Sequence, residues 1–357
     1  MNAIDTVISR NKSFLRSLWT GRADRHGVIL NQTGHAVEAE LGDFTLSTRP
    51  VADWWPWVTM NWEARLGHLA AVEDDSVPYV NLNTNTGVFA AAFGCRIQVF
   101  PGSNAAAMHC VTTAAEADAL AQPCWQEVPT LARHFQMAEL VRDRLGPDVP
   151  MQVPDIQSPF DVAALVWNKA DLLVALAEAP ESVEGLVGKC ERLIGDFLDD
   201  FRRAFPQANV CHCPNTWAPA DLGLWLSEDE VGAISTGMFR RFCLPSLNRL
   251  SRRFGGLGMH CCAAADHQYA NFQQIDGLFA LNRVYQKPGP QPAIDAFSGR
   301  QVLIPAWIGE DMLDWYLAHE RPGTRYCFNL GWMPTDQARR VVDKVRRHQP
   351  AGLALAG

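Results

Sequence analysis

Gly255-Gly256-Leu257-Gly258-Met259-His260-Cys261-Cys262 is the stretch on which the reading of this chain turns. Two glycines end a helical pattern, and the apolar run after them has the length of a buried strand. Side chains two apart on a strand point the same way. His260 and Cys262 therefore face one point in space, and Cys261 faces away from it. One imidazole and one thiolate are two of the ligands that a catalytic zinc ion takes. The third must come from elsewhere, and Cys327 in Arg325-Tyr326-Cys327-Phe328-Asn329-Leu330 is the candidate, because it too sits on an apolar, strand-like run. The competing interpretation is plain packing: a buried cysteine commonly serves as a small apolar side chain, and His-x-Cys alone is a weak signal.

Outward from this stretch, strand and helix alternate. Strands are expected at Val149–Ile156, Ala208–Cys213, 257–262, 277–285, 301–307 and 324–330, with a Pro- and Trp-rich loop over 214–228. Between them lie helical patterns that end at Leu176, span 181–204, run from the Ser235 cap to Arg253, and cover 266–274, 309–319 and 335–348, the last capped by Thr335. Upstream are an amphipathic helix over 1–20, short strands at Val28-Ile29-Leu30, Val77–Asn83 and Arg96–Phe100, and helices over 113–122 and 125–145. Such alternation implies parallel strands joined by right-handed crossovers. Seven or eight strands point to an α/β fold, a (β/α)8 TIM-like barrel, and no Gly-rich phosphate fingerprint supports an open dinucleotide-binding sheet. Residues 1–60 are expected to form an N-terminal helical and aromatic extension, with the barrel over 61–357. Trp54, Trp55, Trp57 and Trp62 crowd the junction, either as a packed cover or as one wall of a pocket.

The chain has 357 residues, of which 48% are hydrophobic and 20% charged, and a formal net charge of −8. This acidity, with no basic run beyond Arg339-Arg340 and Arg346-Arg347, argues against nucleic acid as a partner. No run of 18 apolar residues suggests a membrane span, and the polar first 20 residues do not read as a signal peptide. The expectation is a cytoplasmic protein whose ten cysteines are reduced thiols or metal ligands. An oligomer remains compatible with all of this.

Barrel sites gather at the C-terminal ends of the strands, where His260, Cys262 and Cys327 could converge. A rival lies at Cys211-His212-Cys213, whose two cysteines would share a side and could join or replace the other ligands. Glu228 and Asp229 are candidates for a proton donor or a displaceable ligand oxygen, and His267 for an acid or base, although acidic loop residues are often merely solvated. Trp217, Trp225, Trp307 and Trp332 fall in or beside strand-end segments and would suit a flat ligand such as a corrin or tetrapyrrole. Zinc held by one histidine and two cysteines favours binding and activating a further thiol over activating water, so alkyl transfer to sulfur is the natural chemistry.

Three stretches between about residues 60 and 348 resemble the uroporphyrinogen decarboxylase superfamily. Ser158-Pro159-Phe160-Asp161-Val162-Ala163-Ala164, followed by Leu172-Leu173 and Ala179-Pro180-Glu181-Ser182-Val183, is similar to its "GPF" turn and following helix start. Ile234-Ser235 through Phe239, with Phe242-Cys243-Leu244-Pro245, resembles its "iSp..f.ef.lP" segment. Gly258-Met259-His260-Cys261-Cys262-Ala263 resembles its "H.CG" strand end, with Ala263 in place of the glycine. The resemblance implies a (β/α)8 barrel and, in the methyltransferase branch, zinc ligation by His260, Cys262 and Cys327. The decarboxylase branch carries an N-terminal "RQAGR" signature for substrate carboxylates, and only Arg22 and Arg25 lie near that position here. The leading expectation is thus a zinc-dependent methyltransferase moving a methyl group from a corrinoid carried by a partner protein, or from a small methyl donor, to a thiol. The alternatives are a metal-free decarboxylase of a tetrapyrrole or related acid, and a non-catalytic corrinoid- or tetrapyrrole-binding protein.

Overall fold

Apolar strands in this chain are short and buried on both faces, as parallel strands flanked by helices must be. The computed structural model describes residues 3–30, 44–82, 84–100, 105–306 and 308–353. Its main sheet is parallel and six-stranded: β1 (Gly27–Leu30), β8 (Arg325–Leu330), β7 (Val302–Pro305), β6 (Leu278–Arg283), β5 (Leu257–Cys261) and β4 (Leu224–Ser227), in that spatial order. Single parallel bridges Gln157–Ser227, Gln152–Asn209 and Val80–Met151 carry the arrangement onward from β4. They fall in three segments expected as strands, which pair at isolated residues rather than as full ladders. The result is an α/β arrangement of the TIM-barrel type.

Several expectations are corrected. β4 lies inside the segment read as a loop over 214–228, because four residues, Leu224 to Ser227, are too few to show a period beside so many prolines and tryptophans. Arg96–Phe100 is no part of the parallel sheet: β2 (Arg96–Gln98) pairs antiparallel with β3 (Ala106–Met108) in a separate two-stranded ribbon. The boundary at residue 60 marks no structural division, because β1 from the N-terminal segment pairs in register with β8, Gly27 opposite Cys327 and Ile29 opposite Asn329. Thr335 begins its helix, and Pro334 occupies the cap.

Alternation along each strand separates two apolar layers. Leu257, Met259 and Cys261 of β5 and Tyr326 and Phe328 of β8 belong, Cys261 apart from its carbonyl contacts, to the core beneath the helices. Of the helices, α1 (Ala3–Trp19) lies against the other layer, and this core is covered by α2 (Trp55–Val72), α3 (Ala114–Ala119), α4 (Pro129–Leu145), α5 (Pro159–Val166), α6 (Lys169–Glu178), α7 (Pro180–Ala204), α8 (Leu244–Phe254), α9 (Gln291–Phe297), α10 (Glu310–Ala318) and α11 (Thr335–Arg347). Trp54 and Trp57 are buried in the same core, with Trp55 and Trp62 packed against it, so the aromatic cluster is a cover. Residues of opposite parity, among them Ile29, Trp225, Ala280, Val302, Ile304 and Cys327, form a second cluster with Leu15, Leu18 and Trp19 of α1. Trp19 donates its indole N–H to the Trp217 carbonyl at 3.0 Å and packs edge-on against Trp225. Helix α1 therefore seals the end of the sheet where the strands begin.

The first and last strands are also tied by side chains. His26 Nδ1 accepts the Tyr326 N–H at 3.2 Å, so Nε2 carries the proton and donates to Glu320 at 2.8 Å. His348 Nε2 lies 3.2 Å from the other Glu320 oxygen. With its lone pair used by a backbone amide, the buried His26 is neutral and serves in a hydrogen-bonded clasp. No helix among the described residues is long and apolar enough to cross a membrane.

Gly258 is required by contact with the inner layer. A Cβ there would lie 2.0 Å from the ring of Trp225, itself fully buried. Gly258→Ala is expected to lower the unfolding free energy by about 1–3 kcal/mol, as overpacking does, and to reduce the urea midpoint accordingly.

Candidate metal centre

The site is assembled from the ends of three adjacent strands. Ser227, His260 and Asn282 stand opposite one another on β4, β5 and β6. The Asn282 side-chain amide donates to the Ile304 carbonyl at 2.7 Å, which turns its oxygen toward His260 Nδ1 at 2.5 Å. An amide oxygen can only accept, so Nδ1 bears the ring proton and Nε2 keeps a free lone pair. Metal-ligating histidines are commonly oriented by this kind of outer partner.

Cys262 follows β5 on the same side as His260, and the parity argument is met: Cys261 is fully buried on the other side. Ligand atoms of Asp229, His260 and Cys262 all lie within 4.8 Å of one another. The segment Glu228 to Glu230 is held from two directions. The Glu228 N–H donates to the His260 carbonyl at 2.9 Å. Asp161, in the first turn of α5, accepts the Asp229 and Glu230 amides at 2.5 and 3.0 Å. Asp161 is placed in turn by the Ser158 hydroxyl, which caps α5 by accepting its N–H at 3.0 Å. Asp229 Oδ1 then accepts the Cys262 N–H at 2.5 Å. Burial and the neighbouring Asp229 carboxylate push the Cys262 thiol up to about 12.

The expected third ligand is not brought to this cluster. Cys327 is fully buried in the inner apolar layer, 3.5 Å from the position a Gly27 Cβ would take. It is the third residue of β8, and Asn329 holds the last inward-facing position, donating to the Asn215 carbonyl at 3.0 Å. Asp229 stands where Cys327 was expected. The rival segment divides: Cys211 is buried in the inner layer, its thiol 3.3 Å from the Pro214 carbonyl, whereas Cys213 Sγ comes within 3.3 Å of His260 Nδ1. The chain bends at Cys213, so the two cysteines do not share a side.

Of the acid–base candidates, only Asp229 is at the cluster. Glu228 has the outward parity of Leu224 and Leu226 and is fully buried. It faces Ser158 and Cys243 without hydrogen-bonding either, and burial raises its carboxyl to about 8. His267 is exposed and donates through Nε2 to the Ile234 carbonyl at 3.0 Å, an anchor for the loop after β5. Trp217 and Trp225 belong to the apolar layer over α1: Trp225 lies near the start of β4 and Trp217 in the segment before it, away from the strand end. Trp332 follows β8 and is 71% exposed, so its ring is free to meet a ligand. Trp307 lies outside the described residues. Arg22 and Arg25 precede β1, at the end of the sheet opposite the cluster, and Arg25 is engaged bidentately by Asp75 at 2.8 Å. Sequence reasoning missed Asn282, although a polar residue of inward parity near the end of an apolar strand was a usable signal.

Two outcomes follow from this geometry. Were the cluster to hold zinc, Asn282→Ala would weaken its binding about 10- to 100-fold through loss of the histidine's outer partner, measured by competition with a chromophoric chelator. Glu228 contributes to pH dependence with a definite sign. Its folded-state value of about 8 lies above the ordinary 4.5, so between these limits the folded chain keeps a proton that the unfolded chain has released. Stability from this group is full below about 4.5 and is lost as pH rises toward 8. Glu228→Gln should flatten that fall in urea midpoints measured from pH 5 to 8.

The sequence model described as uroporphyrinogen decarboxylase (URO-D) matches residues 68–279, more than half of the chain. Among curated protein sequences there is no match. Among solved structures, a methyltransferase from Methanosarcina mazei superposes with a TM-score of 0.66 at 15% identity, covering 94% of this chain and 98% of that one. At that identity the likeness concerns the fold. Taken with the parallel sheet and the strand-end site, the family match leads to one statement of identity: the chain belongs to the uroporphyrinogen decarboxylase (URO-D) family.

Proposed function

We propose that this chain is a zinc-dependent methyltransferase that moves a methyl group from a methylated corrinoid protein, or a small methyl donor, to a thiol. The observation that carries the proposal is the convergence of His260, Cys262 and Asp229 at the strand ends. Nitrogen, sulfur and carboxylate oxygen are all zinc donors, and three protein ligands leave a position for substrate. The fit is supported by the lone pair that Asn282 reserves on His260 Nε2. A fold shared with the Methanosarcina mazei methyltransferase is consistent with it, as is a closed (β/α)8 barrel, with the segments at 77–82, 150–157 and 209–213 completing the wall.

His260, Cys262 and Asp229 would hold the metal, with Cys213 in contact with the His260 ring. A zinc ion bound there would supply the Lewis acidity that keeps a substrate thiol deprotonated near neutral pH. The rest falls to the chain's own groups. Asn282 fixes the histidine tautomer, and Asp161 holds the loop that presents Asp229. Cys262, with its thiol high, must release a proton to become a ligand, so metal loading should consume base. In the transfer itself the substrate sulfur attacks the methyl carbon, the S–C bond forms, and the bond to the carrier breaks with its electron pair left on the carrier. Trp332, exposed just after β8, would offer its ring to a flat carrier.

Elemental analysis tests the ligand set. Wild type and Cys327→Ser should each hold about one zinc per chain, as a single three-donor site requires. His260→Ala, Cys262→Ser and Asp229→Asn should lose it, together with thiol methylation. Equal zinc in wild type and Cys262→Ser, or loss in Cys327→Ser alone, would overturn the assignment.

A further inference from the structure

A polar cavity adjoins the cluster, and methyl transfer as described makes no use of it. Asn81, Thr84, Gln152, Asp155, His212 and Asn215 are among its walls. Asp155 is the acidic group. Its side chain remains 24% exposed toward the cavity. Gln157 donates to its Oδ1 at 2.8 Å, and its own N–H donates to Thr84 Oγ1 at 2.6 Å. It is close enough to His260 and Asp229 of the cluster to interact with them electrostatically.

His212 is the second observation. Its side chain is 3% exposed, its Nδ1 lies 3.3 Å from Asp155 Oδ1, and neither ring nitrogen makes a hydrogen bond among the described residues. A buried polar group without a partner is costly, and such a group aimed into a cavity invites one. Burial also keeps this imidazole neutral, so it places no positive charge beside Asp155. Among the described residues, no lysine or arginine lines the cavity. Arg65 lines the neighbouring cavity beyond Asn215, with its guanidinium stacked over Tyr79 at 4.3 Å.

We propose that this cavity is the subsite for the non-reacting end of the substrate thiol, and that it takes a primary ammonium group. The inference rests on the zinc–thiol reading of the cluster. An ammonium brings three N–H donors. It would meet the Asp155 carboxylate and the unpartnered His212 nitrogen within a partly desolvated space. A carboxylate in the same place would face Asp155 with no cation to offset the repulsion. The substrate class is therefore an aminothiol, and a polyanionic acid is excluded from this subsite.

Three thiols of matched size provide the test: cysteamine, 2-mercaptoethanol and mercaptoacetate, titrated calorimetrically into the zinc-loaded full chain. Cysteamine should bind about tenfold or more tighter than mercaptoacetate, a factor of ten being about 1.4 kcal/mol. Asp155→Asn should erase most of that ratio while 2-mercaptoethanol affinity and zinc content stay the same. Should Asp155→Asn fold poorly or lose zinc, Asn81→Lys offers an independent test, since a cation in the wall should shift preference toward mercaptoacetate. Equal affinities in wild type, or a preference that survives both substitutions, would overturn the subsite while leaving the metal reading intact. Retained zinc with no binding of any thiol would instead overturn the thiol reading, and the subsite with it.

Discussion

Three backbone amides at the ends of two neighbouring strands, those of Asp229, Glu230 and Cys262, are each held by a carboxylate. Asp161 holds the first two from the start of α5, and Asp229 holds the third. Each of these N–H groups would otherwise stand unpaired beside the end of a sheet, where backbone donors are costly to leave unsatisfied. The same bonds settle where the functional atoms lie. Because Asp229 is gripped by its amide on one side and bonds the Cys262 amide on the other, its carboxylate cannot move without releasing the loop after β5. The Ser158-Pro159-Phe160-Asp161 turn thus does structural service for a site to which it contributes no ligand.

Above this frame, parity sorts the chemistry. On β5 the inward positions carry Gly258 and His260, and the outward ones Leu257, Met259 and Cys261. Gly258 admits the Trp225 ring, and His260 meets Asn282 on the next strand. Depth along the strand then separates residues of equal parity. Trp225, Ala280, Val302 and Cys327 fill the dry layer over α1, while His260 and Asn282 lie nearer the strand ends, where polar partners are available. A thiol in the dry layer is an apolar filler, and burial drives its pKa upward.

This difference between parity and depth explains what the sequence could disclose. That His260 and Cys262 share a side, with Cys261 opposed, follows from a period of two and needs no tertiary information. Cys327 also has inward parity, yet it lies one inward position short of the strand end, and that offset depends on the register of β8 against β1. Trp217 and Trp225 were misplaced for a related reason: β4 is only four residues long and was read as part of a loop, so its beginning could not be told from its end. Asp229 was recognisable as an acidic loop residue able to offer a ligand oxygen, but its approach to Cys262 arises from the Asp161 contacts, which join residues 68 positions apart. Outside β4, the alternation of strands and helices was legible over the last two thirds of the chain, because buried parallel strands and amphipathic helices leave different apolar periods.

The pairing of β1 with β8 has a mechanical consequence. These strands come from opposite ends of the polypeptide and lie parallel, with Gly27–Leu30 alongside Cys327–Leu330 and Glu320 bridging His26 and His348 across the seam. Tension between the two chain ends would pull the pair lengthwise past each other. Its hydrogen bonds would then be loaded together instead of peeling one at a time, and the molecule should resist stretching most strongly at the junction that its first and last strands share.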